Sequence, residues 1–121
     1  MIIVPRDGEV VGICPDFERP AVIPRDVFNR AMEIARTEGL PEYARGHIGH
    51  SVGLDQTIEE PPFLSPTSEE PMRPGNVFCV ELPYYAYGFG SIQNEDIVLI
   101  TDDGRELLTT RERRLHPLGG H

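Results

Sequence analysis

Proline and glycine divide this chain into short lengths, and that limits its architecture more than any other feature. Twelve of each occur in 121 residues, so an array of brief elements joined by turns is expected. In only one of the uninterrupted stretches do apolar residues recur at helical spacing. Val27, Ala31, Ile34 and Ala35, with Phe28 and Met32, form that pattern and predict one amphipathic helix over about residues 25 to 38. Pro24 suits its first turn, Arg36 its last and Gly39 its C-terminal cap, and Pro41 prevents continuation.

The remaining apolar runs are short and rich in β-branched residues, as strands are. Residues 2 to 4 and 9 to 14 flank Pro5-Arg-Asp-Gly8 and read as an opening hairpin. Gly46 to Gly53 reads as a strand, and the proline-rich Glu59-Glu-Pro-Pro-Phe-Leu-Ser-Pro66 as an ordered loop. Pro74-Gly75 is a turn before the strand Val77-Phe-Cys-Val-Glu-Leu82. Residues 97 to 101, the Asp102-Asp-Gly104 turn and residues 106 to 109 form a second hairpin. The expected class is α+β: a curved, mostly antiparallel sheet with the helix packed on its convex side. Residues 1–110 form the domain, and the charged, Gly-rich 111–121 segment is a tail.

Composition narrows the function. With 39% hydrophobic residues the chain can bury a core. Eleven basic against twenty acidic residues, with Arg as the sole fixed cation, give a net charge of -9. That disfavours a nucleic-acid surface. It fits either a soluble repulsive surface or carboxylates gathered round a cation. Cys14 and Cys79 lack CxxC or Cys/His zinc spacing and read as buried free thiols. No apolar run approaches the roughly 20 residues of a membrane span, and the reading is a soluble cytoplasmic protein without membrane or nucleic-acid partners.

Three polar residues stand where a sequence concerned with packing alone would place apolar ones. His50 lies in Gly49-His-Ser-Val-Gly-Leu54, Glu81 interrupts an apolar strand, and Glu95 directly precedes another. A carboxylate in a sheet is expensive to desolvate unless it is paired, hydrogen-bonded or metal-bound. Each alone reads equally as a satisfied structural group; three together, each beside strand signals, point to a site. Glu81 and Glu95 project to one face if their strands pair.

Four motifs carry a resemblance. Gly49-His-Ser-Val-Gly-Leu54, Glu60-Pro-Pro-Phe-Leu-Ser65, Arg73-Pro-Gly-Asn-Val-Phe-Cys-Val-Glu-Leu-Pro83 and Ser91-Ile-Gln-Asn-Glu-Asp-Ile-Val-Leu-Ile-Thr101 resemble, in order and phrasing, the C-terminal half of the pita-bread family. That family includes methionine aminopeptidase, aminopeptidase P, prolidase and creatinase. The resemblance implies a shortened pita-bread domain and a metal-dependent hydrolase of small peptides, similar to Xaa-Pro peptidases. The family's peptidases hold two divalent metals with two aspartates, one histidine and two glutamates. Carried over, His50, Glu81 and Glu95 match the histidine and the two glutamates, and Asp16 in Gly12-Ile-Cys-Pro-Asp16 matches the later aspartate.

The chain also departs from the pattern. Pro5 stands where the earlier aspartate is expected, and the nearest carboxylate, Asp7, reads either as a substitute ligand or as the Asp of an Asp-Gly turn. Gln93 replaces an arginine common before the bridging glutamate, and Gln56-Thr-Ile-Glu59 stands where the family carries a further histidine. His47 reads as a pocket imidazole or as a hydrogen-bonded structural histidine. The candidate catalytic residues are His50, Glu81 and His47, and the candidate ligands Asp7, Asp16, His50, Glu81 and Glu95. One or two ions of Mn, Co, Zn or Fe suit such donors. The shortened fold implies a homo-oligomer or a partner chain that completes it. Two other functions fit the resemblance: metal-free creatinase-like C–N hydrolysis with His50 as proton shuttle, and a non-catalytic peptide- or protein-binding paralogue.

Overall fold

The computed structural model describes residues 20–55 and 58–109. The opening hairpin, Asp7, Cys14, Asp16 and the 111–121 segment lie outside the described residues. Among the described residues one helix, α1 (Pro24–Thr37), is followed by seven strands: β1 (Gly49–Ser51), β2 (Glu60–Phe63), β3 (Val77–Glu81), β4 (Tyr84–Ala86), β5 (Gly90–Ile92), β6 (Glu95–Ile100) and β7 (Arg105–Leu107). Five of them form an antiparallel sheet ordered β2-β1-β3-β6-β7, and β4 and β5 form a separate hairpin.

The helix forms as its pattern predicts. Pro24 occupies the first turn, where its missing N–H costs nothing, Asp26 lies near the positive end of the helix dipole and Arg36 near the negative end. The Glu38 N–H closes on the Ile34 carbonyl, and Gly39 takes up a φ of 126°. Val27, Phe28, Ala31, Met32 and Ala35 are buried in one apolar cluster with Ile48, Leu64, Phe78, Val80, Val98 and Ile100 of the sheet region. Burial of each large side chain contributes on the order of 1.5–3 kcal/mol. The Tyr43 hydroxyl donates to the Pro83 carbonyl at 2.7 Å, and the Arg36 Nε–H donates to the Tyr43 carbonyl at 3.0 Å. These bonds tie the end of the helix to the loop that enters the sheet.

Alternation along β6 separates the two faces of the sheet. Asp96, Val98 and Ile100 are buried, whereas Glu95, Ile97 and Leu99 are more open. The central β3, flanked by β1 and β6, is buried on both sides from Phe78 to Glu81. The buried Asp96 accepts from the Thr109 hydroxyl at 3.0 Å.

Two regions differ from the sequence reading. Residues 60–63, read as loop because of Pro61 and Pro62, form strand β2. Among the described residues β2 is an edge strand paired with β1, and there a missing N–H leaves no ladder bond unmade on a second side. The hairpin β4–β5 also went unread. Its strands are mostly exposed on both faces, so they lack a half-buried alternation, and positive φ at Gly88 and Gly90 closes the turn.

Gly49 sets how closely β1 approaches β3. A Cβ built there would collide with the Cys79 carbonyl oxygen and come within 3.0 Å of Leu64 Cδ1. Gly49→Ala is expected to lower stability by about 1–3 kcal/mol through overpacking, read from the urea midpoint. Gly46→Ala, whose Cβ would meet nothing within 4 Å, should move it by no more than about 0.5 kcal/mol.

Candidate metal centre

The sheet register brings the singled-out residues to one face. Glu81 and Glu95 are direct partners across β3 and β6, and His50 and Cys79 are direct partners across β1 and β3. Cys79 precedes Glu81 by two residues and so shares its side of the strand. His50, Cys79, Glu81 and Glu95 therefore all lie on the face opposite the helix. A cleft of about 530 Å³ opens there, lined by His50, Cys79, Glu95, Glu59, Ile58 and Ile97 among others.

His50 is held for ligation through one nitrogen. Its Nδ1 lies 2.9 Å from the Ser51 carbonyl oxygen, which can only accept, so Nδ1 carries the proton. The Nε2 lone pair is then available to a cation or a proton. Gly49 allows this arrangement, because close approach of β1 to β3 sets His50 beside Cys79.

Glu81, 7% exposed, accepts from the Gln93 side-chain amide at 2.6 Å, and the same amide reaches Glu95 at 3.4 Å. Glu95 also accepts the Cys79 thiol proton at 2.8 Å. Gln93 lies in the short link between β5 and β6, where sequence reading registered a missing positive charge. The structure shows a neutral donor serving both carboxylates. Burial, then the hydrogen bond and charge of Glu95, push the Cys79 thiol well above its usual range.

Two groups of donors have the spacing of metal ligands. Atoms of His50, Glu59 and Glu81 lie within 4.8 Å of one another, as do atoms of His50, Cys79 and Glu95. His50 belongs to both. Glu59 escaped sequence analysis because it begins a proline-rich segment, yet it also pairs with His47, Nε2 to Oε2, at 3.2 Å. His47 packs its ring on Phe63 with centroids 5.3 Å apart and is engaged with Glu59 rather than with His50 or the two strand glutamates. Cys79 is the buried free thiol expected, but its place on the site face was missed. The signal was its i, i+2 relation to Glu81.

An imidazole with an open lone pair and several carboxylates within ligand distance fit a divalent cation of the Mn, Fe, Co or Zn type. The buried Glu81, held by the Gln93 amide, is the most constrained donor.

Comparison with known proteins agrees with the fold. The Xaa-Pro dipeptidases of Pyrococcus furiosus and Pyrococcus horikoshii are 34% and 33% identical over 97 residues, each match covering 80% of this chain and 27% of the relative. Among solved structures, dipeptidase PepE from Mycobacterium ulcerans superposes with a TM-score of 0.74 at 31% identity, over 84% of this chain and 27% of that one. The chain thus spans little more than a quarter of the length of these relatives. Its mostly antiparallel sheet with one helix is a partial pita-bread domain. The profile of metallopeptidase family M24, a family of divalent-metal peptidases, matches residues 16–102, and the chain belongs to that family.

Proposed function

We propose that this chain contributes the cation-binding side of a metal-dependent hydrolase of small peptides with Xaa-Pro peptidase-like specificity. The observation that supports the reading is the presentation of His50, Glu81 and Glu95 from three adjacent antiparallel strands on one face. The names of the Pyrococcus relatives give the substrate class. Asp16 is the fourth ligand in this proposal, and completion of the first metal position depends on Asp7 or on another chain. Residues 1–110 act as the domain, and the protein works in the cytoplasm.

In the mechanism we infer, His50 offers Nε2 while its Nδ1–H stays on the Ser51 carbonyl. Glu81 and Glu95 supply hard oxygen donors, and Gln93 holds the two carboxylates in register. The chemistry a bound divalent cation supplies is Lewis acidity, which lowers the pKa of a coordinated water and polarises a carbonyl oxygen. With a cation held there, a carboxylate oxygen of Glu81, largely shielded from water, would serve as the proton acceptor in hydrolysis. His47 keeps Glu59 oriented at the rim. Leu54, Ile58, Tyr85, Tyr87 and Phe89 are widely exposed, and further polypeptide, from a second copy or a partner chain, covers such apolar surface in the complete enzyme.

Titration calorimetry with Mn or Co tests the cation site: the unmodified chain binds, and Glu95→Ala weakens binding by tenfold or more, on the order reported for loss of even an outer metal-site partner. Equal binding by both proteins removes Glu95 from the site. Pro5→Asp is expected to raise the number of ions bound and to improve the poor hydrolysis of Xaa-Pro dipeptides expected of this chain alone. Turnover that survives chelation would favour metal-free C–N hydrolysis with His50 as proton shuttle. Absence of turnover with every cation, even when the domain is completed by a partner, would favour peptide binding.

Gln93→Leu tests the positioning role. Loss of a donor shared by two carboxylates, one of them exposed, should cost about 1–2 kcal/mol in a urea titration without metal. Added Mn should recover much of that loss, because a cation replaces the missing donor between the same oxygens. A Gln93→Leu protein as stable as the parent would show that the amide does not hold the pair.

A further inference from the structure

The site face carries a sulfur donor that lies outside the all-oxygen and imidazole set implied by the family resemblance. Cys79 is directly opposite His50 across β1 and β3. Its Sγ–H donates to Glu95 Oε1 at 2.8 Å. The ligand atoms of His50, Cys79 and Glu95 all lie within 4.8 Å of one another and line the same cleft. Ligands at about 2.0–2.3 Å from a tetrahedral ion stand roughly 3.5 Å apart, so small side-chain adjustments would bring all three onto one cation.

Packing alone does not account for this thiol. A cysteine used as a small apolar filler would sit with Phe78 and Val80 towards the helix; Cys79 instead has the opposite strand parity and a carboxylate partner. One imidazole nitrogen, one sulfur and one carboxylate oxygen are each ordinary zinc donors, and three protein ligands with an open position are the pattern of catalytic zinc sites. Soft sulfur shifts preference towards zinc and cobalt and away from manganese.

We propose that Cys79, with His50 and Glu95, forms a nitrogen–sulfur–oxygen site that makes this centre selective for zinc or cobalt over manganese. The proposal rests on the reading that this face binds cations and adds the sulfur ligand and the selectivity. On coordination the Sγ–H···Oε1 hydrogen bond is lost, the thiol proton leaves to solvent, the sulfur lone pair binds the ion, and Glu95 Oε1 is freed to bind it too.

Cobalt(II) titration of the full chain under reducing conditions tests this. A near-ultraviolet thiolate-to-cobalt charge-transfer band should rise with the first equivalent, persist in Cys14→Ser and vanish in Cys79→Ser; these are the chain's two cysteines. Zinc affinity should fall about tenfold or more in Cys79→Ser, while manganese affinity holds. Cobalt binding without the band, or a band that survives Cys79→Ser, overturns the sulfur ligand and leaves the cation site standing. Failure to bind zinc, cobalt or manganese at all overturns both. X-ray absorption on the zinc-loaded Cys14→Ser chain needs no change at Cys79: a sulfur scatterer at about 2.3 Å is expected, and its absence overturns the inference even if Cys79→Ser does not fold.

Discussion

The face-to-face opposition of Glu81 and Glu95 across β3 and β6 is the constraint around which the rest of this face is organised. Two like charges roughly 5 Å apart in an effective dielectric of about 20 repel by about 3 kcal/mol, less where one of them reaches water. Glu95 is exposed to water, and Glu81 is largely buried. Donors from two directions offset the rest: the Gln93 amide serves both carboxylates, and the Cys79 thiol serves Glu95. A sheet that kept such a pair for packing alone would lose nothing by exchanging one glutamate for valine. In the proposed function the pair supplies negative charge for a bound cation.

That requirement meets the hydrophobic core within a single strand. β3 sends Phe78 and Val80 into the cluster shared with α1 and sends Cys79 and Glu81 to the opposite face. A slip of one residue would exchange the two sets, so the apolar core that stabilises the domain also fixes the site. Phe78 and Val80 thereby hold Cys79 and Glu81 in place from the opposite face.

Much of this was legible in the sequence, and the exceptions have physical causes. The helix was readable because its period, its leading proline and its trailing glycine agreed. The pairing of Glu81 with Glu95 was readable because both lay beside strong apolar strands. β2 was not, since prolines argue against a strand except at an edge, and edge position is a property of the sheet rather than of the segment. Cys79 was passed over because zinc spacing is sought along the chain, whereas its neighbours His50 and Glu95 arrive from other strands. Gln93 was registered as a lost charge, although a neutral amide can hold two carboxylates through hydrogen bonds alone. Asp7 and Asp16 rest on sequence and resemblance, being outside the described residues.

The donors here owe their positions to backbone register rather than to long side chains reaching across space. Gly49 shows how far this goes: with no Cβ it lets β1 lie against the Cys79 carbonyl, and that closeness carries His50 to its place opposite Cys79. The Glu81 N–H then bonds the Ile48 carbonyl at 2.9 Å, and the Leu64 N–H bonds the Gly49 carbonyl at 2.9 Å, so β1 is clamped from both neighbours. In the proposed site the ladder hydrogen bonds hold the backbone of the donors already, so an arriving ion would have side-chain freedom left to order and no backbone freedom. The same rigidity limits which ions can be accommodated, because the strands cannot spread without breaking the ladder. On the proposed ligation, selectivity would then come from which atoms the side chains present, with the sulfur of Cys79 the donor that sets this face apart from an all-oxygen and imidazole set.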